Sequence, residues 1–126
     1  MSTELELREL LIDCAQELAD RNGGDTVLLD LRPLSSWTDF FIVTGATSST
    51  HMRGLLKHAD EFLGPRGYAP IRRPSPSDDE EWCLVDYGPF VLHIMSAGAR
   101  EFYELEKLWF EAEKTAFTPR TGADRA

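Results

Sequence analysis

Basic residues are in short supply: 13 Lys+Arg stand against 22 Asp+Glu in 126 residues, a net charge of −9. A field of that sign repels polyanions, which gives no driving force for diffuse binding to nucleic acid or to anionic lipid and leaves any partner to be met through a local patch. Cysteine is scarce as well. Cys14 and Cys83 offer neither metal-ligand spacing nor a disulfide framework. Cys14 falls on a helical apolar stripe and Cys83 inside a strand, so both are expected as small hydrophobes of the core or its margin. Long apolar runs are missing too. The longest, residues 40–43, is far short of the roughly 20 residues that cross a bilayer. The opening residues carry acids where a signal or transit peptide would carry bases, so a soluble, cytoplasmic protein is expected.

What is present suffices for one compact domain, since 42% of the residues are hydrophobic and 10% aromatic. Leu7, Leu10, Leu11, Cys14, Ala15 and Leu18 recur at offsets of three and four and predict a helix over 4–21, ended by Asn22, Gly23 and Gly24. Residues 26–31 read as a first strand, stopped by Pro33. Residues 39–44 hold four consecutive apolar residues and read as a strand covered on both faces, hence central. After the capping cluster Thr47, Ser48 and Ser49, the positions Met52, Leu55, Leu56, Ala59, Phe62 and Leu63 predict a second helix, closed by Gly64 and Pro65. A strand is expected at 68–71, parallel to the strand before the helix. Residues 82–86 and 90–94, separated by Tyr87, Gly88 and Pro89, predict an antiparallel hairpin.

The intervening residues 72–81 lack apolar side chains and read as a solvated loop. A last helix is expected over 99–112 through Phe102, Leu105, Leu108, Trp109 and Ala112. Residues 1–114 then form one domain and 115–126 a frayed, disordered tail. The class is α/β or α+β, a mixed sheet of about five strands flanked by helices.

Catalytic and ligand signals are weak. Residues 45–49 join a buried strand to a helix start, where free amides could hold an anion. They match neither the phosphate loop nor the dinucleotide fingerprint, and hydroxyl residues there serve to cap the helix. His51 and His58 are seven apart, whereas paired helical metal ligands stand four apart; they are expected as partly exposed, hydrogen-bonded side chains, and no metal or cofactor is assigned. No catalytic residue is assigned either. Asp86 lacks the alternating companion of a two-metal nucleotidyl transferase, because positions 84 and 88 are Leu and Gly. The remaining signal is a concentration of amphipathic residues: Trp82, Tyr87, His93, Met95, Tyr103 and Trp109. Trp82, Leu84 and Asp86 share one strand face; Cys83, Val85 and Tyr87 share the other. Residues of these types dominate protein–protein hot spots, although ordinary core packing would use them as well.

Leu29-Asp30-Leu31, the run from Thr38 through Gly45 with Ser48 and His51, Glu81-Trp82, Asp86-Tyr87-Gly88, Val91 through Met95, and Arg100 through Trp109 resemble, in that order, the ribosomal silencing factor (Iojap) family. The resemblance spans about residues 5–110. It implies a nucleotidyltransferase-like α/β fold without catalytic residues. It also implies binding to large-subunit ribosomal protein number fourteen at the intersubunit face, which blocks joining of the small subunit and represses translation under nutrient limitation. Carried over by position, Trp82, Tyr87, His93, Met95, Arg100 and Tyr103 are the expected partner-binding residues, with contact to ribosomal RNA at most peripheral. The sequence departs from the family pattern in residues 72–81 and at Pro89. The rival expectations are a nucleotide-using enzyme with a site behind residues 45–49, a large-subunit maturation factor, and a homodimer hiding the same aromatic face.

Overall fold

The structure is a computed structural model that describes residues 3–33, 38–71, 82–103 and 112–120. Helix α1 (Thr3–Asp20) buries Leu7, Leu11, Cys14, Ala15 and Leu18 along one stripe. It ends where Asn22 turns to a left-handed φ of 67° and the Gly23 N–H returns to the Leu18 carbonyl at 2.9 Å. Strands β1 (Gly24–Asp30) and β2 (Phe40–Ala46) pair antiparallel, with Val27 opposite Val43. Helix α2 (Ser49–Leu63) sends Met52, Leu55, Ala59 and Leu63 inward and runs into a 3-10 turn over Gly64–Arg66. Strands β3 (Trp82–Asp86) and β4 (Phe90–Ser96) form the hairpin, and helix α3 (Ala97–Tyr103) follows directly. Ser96 starts α3 by accepting the Ala99 N–H on Oγ at 3.0 Å. Strand β5 (Glu113–Phe117) completes the order.

The five strands lie in the order β3-β4-β2-β1-β5. β2 and β4 are parallel, and the other three pairs are antiparallel, so the sheet is mixed and the class is α+β. β2 is central, as its apolar run requires. Alternation along the strands divides the core in two. Leu28, Phe40, Ile42, Leu92 and Ile94 face α1 and α2, while Val27, Leu29, Phe41, Val43, Val91 and Met95 face the other way, toward Ala99 and Ala112.

Three expectations are corrected. Residues 68–71 form no strand: Pro70 has no N–H to donate, and the segment is tied beside β3 by the Ile71 N–H to the Asp86 carbonyl at 2.8 Å. The parallel partner of β2 is therefore β4, and the crossover contains both α2 and β3. Residues 115–117, expected in a frayed tail, belong to β5, because β1 offers them an open edge: Thr26 pairs with Phe117 and Asp30 with Glu113. The segment is then held to α1, where Gln16 donates to the Thr118 carbonyl at 2.8 Å and Asp20 accepts from the Arg120 backbone N–H and guanidinium. Finally, Ala112 lies outside any helix. It is buried in the second cluster just before β5. The expected loop 72–81, helical residues 104–111 and residues 121–126 lie outside the described residues.

Candidate functional site

Trp82, Leu84, His93 and Met95 converge on the face opposite α1 and α2, at the β3 margin of the sheet. The register sets Trp82 opposite Met95 and Leu84 opposite His93. Met95 is fully buried and His93 is 3% exposed, whereas Trp82 is half-buried and Leu84 is 48% exposed. The Trp82 Nε1–H donates to His93 Nδ1 at 3.0 Å. With Nδ1 accepting, the imidazole proton resides on Nε2, which is buried without a hydrogen-bond partner among the described residues. The His93 ring also stands edge-on to Phe41, with centroids 4.4 Å apart. Burial pulls the His93 pKa down to about 4, so the ring is neutral at physiological pH.

The six expected partner-binding residues therefore do not form one surface. Tyr87 lies on the opposite face, 4% exposed, stacked on Phe90 with centroids 4.8 Å apart and donating its hydroxyl to Asp60 Oδ1 at 3.2 Å. Burial and the adjacent Asp60 carboxylate push its phenol above the usual range. His93 and Met95 support Trp82 from beneath. Arg100 is half-exposed and donates from Nη1 to the Gly24 carbonyl at 2.8 Å, at the same end of the sheet as Trp82 but with β4 and β2 between them. The Tyr103 backbone belongs to α3, and its side chain lies outside the described residues. Sequence reasoning set Leu84 on the Trp82 face without assigning it to the site; strand alternation was the available signal. It gave no role to Ile71, which is 67% exposed beside β3.

The other candidates resolve into structure. Ser48 caps α2 by accepting the His51 N–H on Oγ at 3.0 Å, and the Thr47 N–H donates to His51 Nδ1 at 2.9 Å, so the Thr47 and His51 amides at this corner are spent locally. His51 Nε2 then donates to the Arg21 carbonyl at 3.0 Å, and His58 Nε2 meets Glu17 Oε1 at 3.0 Å. Among the described residues, no three His, Cys, Asp or Glu side chains gather to hold a metal ion, and no helix is long and apolar enough to cross a membrane. Asp86 accepts the Gly88 N–H at 2.8 Å and shapes the hairpin, where Gly88 has a φ of 98°. Cys14 is buried and its thiol is pushed up to about 12, chiefly by burial; Cys83 is half-buried and raised for the same first reason. Both remain thiols at neutral pH.

The fold is similar to that of a crystal structure of a Chromobacterium violaceum protein. The match has a TM-score of 0.72 and 27% identity, and covers 100% of both chains. The family model described as "Ribosomal silencing factor during starvation" matches residues 4–126, so the chain belongs to the ribosomal silencing factor family. That match extends past residue 110, beyond the span of the sequence resemblance. The ribosomal silencing factor RsfS of Haemophilus influenzae is 33% identical over 100 residues, 79% of this chain and 97% of that protein. The mouse mitochondrial assembly of ribosomal large subunit protein 1 is 32% identical over 95 residues, 73% of this chain, and the matched part spans 41% of the mouse protein.

Proposed function

We propose that this chain binds the large ribosomal subunit through ribosomal protein number fourteen and blocks small-subunit joining by occupying the intersubunit face, repressing translation when nutrients are limiting. It acts in the cytoplasm, by occlusion, without making or breaking a bond. Family membership supports the ribosomal target. The single observation that supports a docking edge is where apolar surface is left uncovered: the exposed large hydrophobics among the described residues, Ile71 and Leu84, both lie along β3, an outer strand of the sheet. An outer strand flanked by apolar side chains is a liability unless something covers it. Half-buried Trp82, held by His93, supplies the aromatic anchor that interfaces favour. The partner surface is thus narrower than the sequence implied, built on Trp82 and Leu84 with Arg100 to one side. A homodimer covering the same edge would compete with ribosome binding.

The mouse relative's name, with its reference to large-subunit assembly, supports a second reading in which the same docking protects a maturing subunit. Sedimentation of purified large and small subunits at associating magnesium, with and without excess protein, tests the first. Co-migration with the large subunit and loss of the joined particle are expected. Protein remaining at the top of the gradient with normal joining would overturn it, and co-migration without loss of joining would favour the maturation role.

A further inference from the structure

The cleft between the end of α1 and the outer face of α2, about 310 Å³, lies on the opposite side of the sheet from Trp82 and Leu84 and is lined by Arg21, His51, Lys57, His58 and Glu61. Its charge is unlike that of the rest of the chain. No Asp or Glu occurs over residues 40–59, although the chain has 22 of them. β2 accounts for the buried part of that stretch, so its exposed part is the outer face of α2, with Arg53, Gly54 and Lys57.

The α1 acids that border the cleft are already engaged. Glu17 Oε1 meets His58, and Glu17 Oε2 lies 3.6 Å from Arg120, which also binds Asp20. Arg8 and Arg32 are likewise committed, to Glu113 and Asp30. Arg21 and Lys57 are both exposed and make no ion pair among the described residues. His51 holds the walls in register: it accepts from Thr47 at the start of α2 and donates to the Arg21 carbonyl at the end of α1.

We propose that this cleft seats the phosphodiester backbone of ribosomal RNA, with Arg21 and Lys57 each facing a phosphate, when the chain sits on the large subunit. This rests on the ribosome-binding reading above and adds a second, RNA-facing contact to it. A protein of net charge −9 is repelled by an RNA surface except where cations outnumber acids, as Arg21 and Lys57 outnumber Glu61 along this cleft, so two phosphate contacts there orient the molecule while the apolar edge supplies specificity. Each contact releases counterions and makes binding steeper in salt.

The test compares the full chain with an R21Q/K57Q variant for binding to purified large subunits between about 50 and 200 mM salt, and for binding to isolated ribosomal protein number fourteen. The expected result is unchanged affinity for the isolated protein, affinity for subunits lowered about tenfold, and a log–log salt slope shallower by about one for each lost phosphate contact. A K114Q control, which removes an exposed cation on β5, keeps the original slope. Identical slopes and affinities for the double variant and the original chain would overturn the RNA contact and leave the proposed function standing. A matching loss on the isolated protein would also overturn it, by making the cleft a protein contact. Failure of the unaltered chain to bind subunits at all would overturn both.

Discussion

The Trp82 indole N–H and His93 Nδ1 meet diagonally across the β3–β4 pair at 3.0 Å, joining a half-buried aromatic to a buried one. Such diagonal neighbours lie within reach of long aromatic side chains. The bond fixes one edge of the indole, so Trp82 reaches the surface with less rotamer freedom to lose on binding.

The burial of His93 has a pH signature. The folded-state pKa of His93, about 4, lies below the ordinary value of 6.5, so between those values the unfolded chain binds the extra proton and stability falls as pH falls. The contribution is complete above pH 6.5. Denaturant unfolding at pH 7 and pH 5 is expected to show a loss of about 2 kcal/mol attributable to this ring. A His93→Phe variant should lose that share of the pH dependence; an unchanged pH dependence would mean that the buried ring protonates freely.

Exposure separates binding from folding at the β3 edge. Leu84→Asp places a charge on a residue that is 48% exposed, so stability should change by no more than about 0.5 kcal/mol. Co-sedimentation with the large subunit should be lost. Tyr87→Phe, on the other face, should leave binding intact and cost about 1 kcal/mol through its hydrogen bond to Asp60. The opposite ranking in a gradient assay would move the docking surface to the α2 side.

Gly23 tolerates no side chain. A Cβ there would collide with Thr44 Oγ1 and stand 2.8 Å from the Leu18 carbonyl oxygen, beside the buried Thr26–Thr44 hydroxyl pair at 2.7 Å. Gly23→Ala is expected to destabilise by about 2 kcal/mol, read as a shift of the urea midpoint with the slope unchanged. A wild-type midpoint would show that the α1–β1 junction yields.

The segment after β5 should come loose when its anchor is removed. Hydrogen bonds from Arg120 hold the Asp20 carboxyl at about 2, below its ordinary value of 3.8, so the clamp is fully formed above pH 3.8 and is lost as pH falls through about 2. Asp20→Asn at pH 7 should accelerate tryptic cleavage after Arg120 several-fold, followed by mass spectrometry. Equal rates would assign the anchoring to Gln16 and Glu17.

Much of this architecture was legible because local pattern and tertiary role agreed. The apolar run 40–43 announced a strand covered on both faces, and Tyr87, Gly88 and Pro89 announced the hairpin. β5 was not legible: Thr115 and Phe117 are only half-buried, and strand character there comes from pairing with β1. Residues 68–71 misled in the opposite sense, since Tyr68 and Ile71 suggest a strand that Pro70 cannot complete. At the site, alternation alone already separated Tyr87 from Trp82. The burial of His93 and Met95 depends on what crosses above them, which no strand pattern encodes.

The pairing of β1 with β5 sets a schedule for the chain's own birth. Thr26 is synthesised long before Phe117, its sheet partner, and domains assemble as their segments emerge from the ribosome. The edge of β1 must therefore wait, unpaired, while α2, the hairpin and α3 are made. The late pairing is a contact of high sequence separation, the kind that slows folding. Of the strands in this sheet, β5 is thus the last to be made, and the β1 edge the last to be covered.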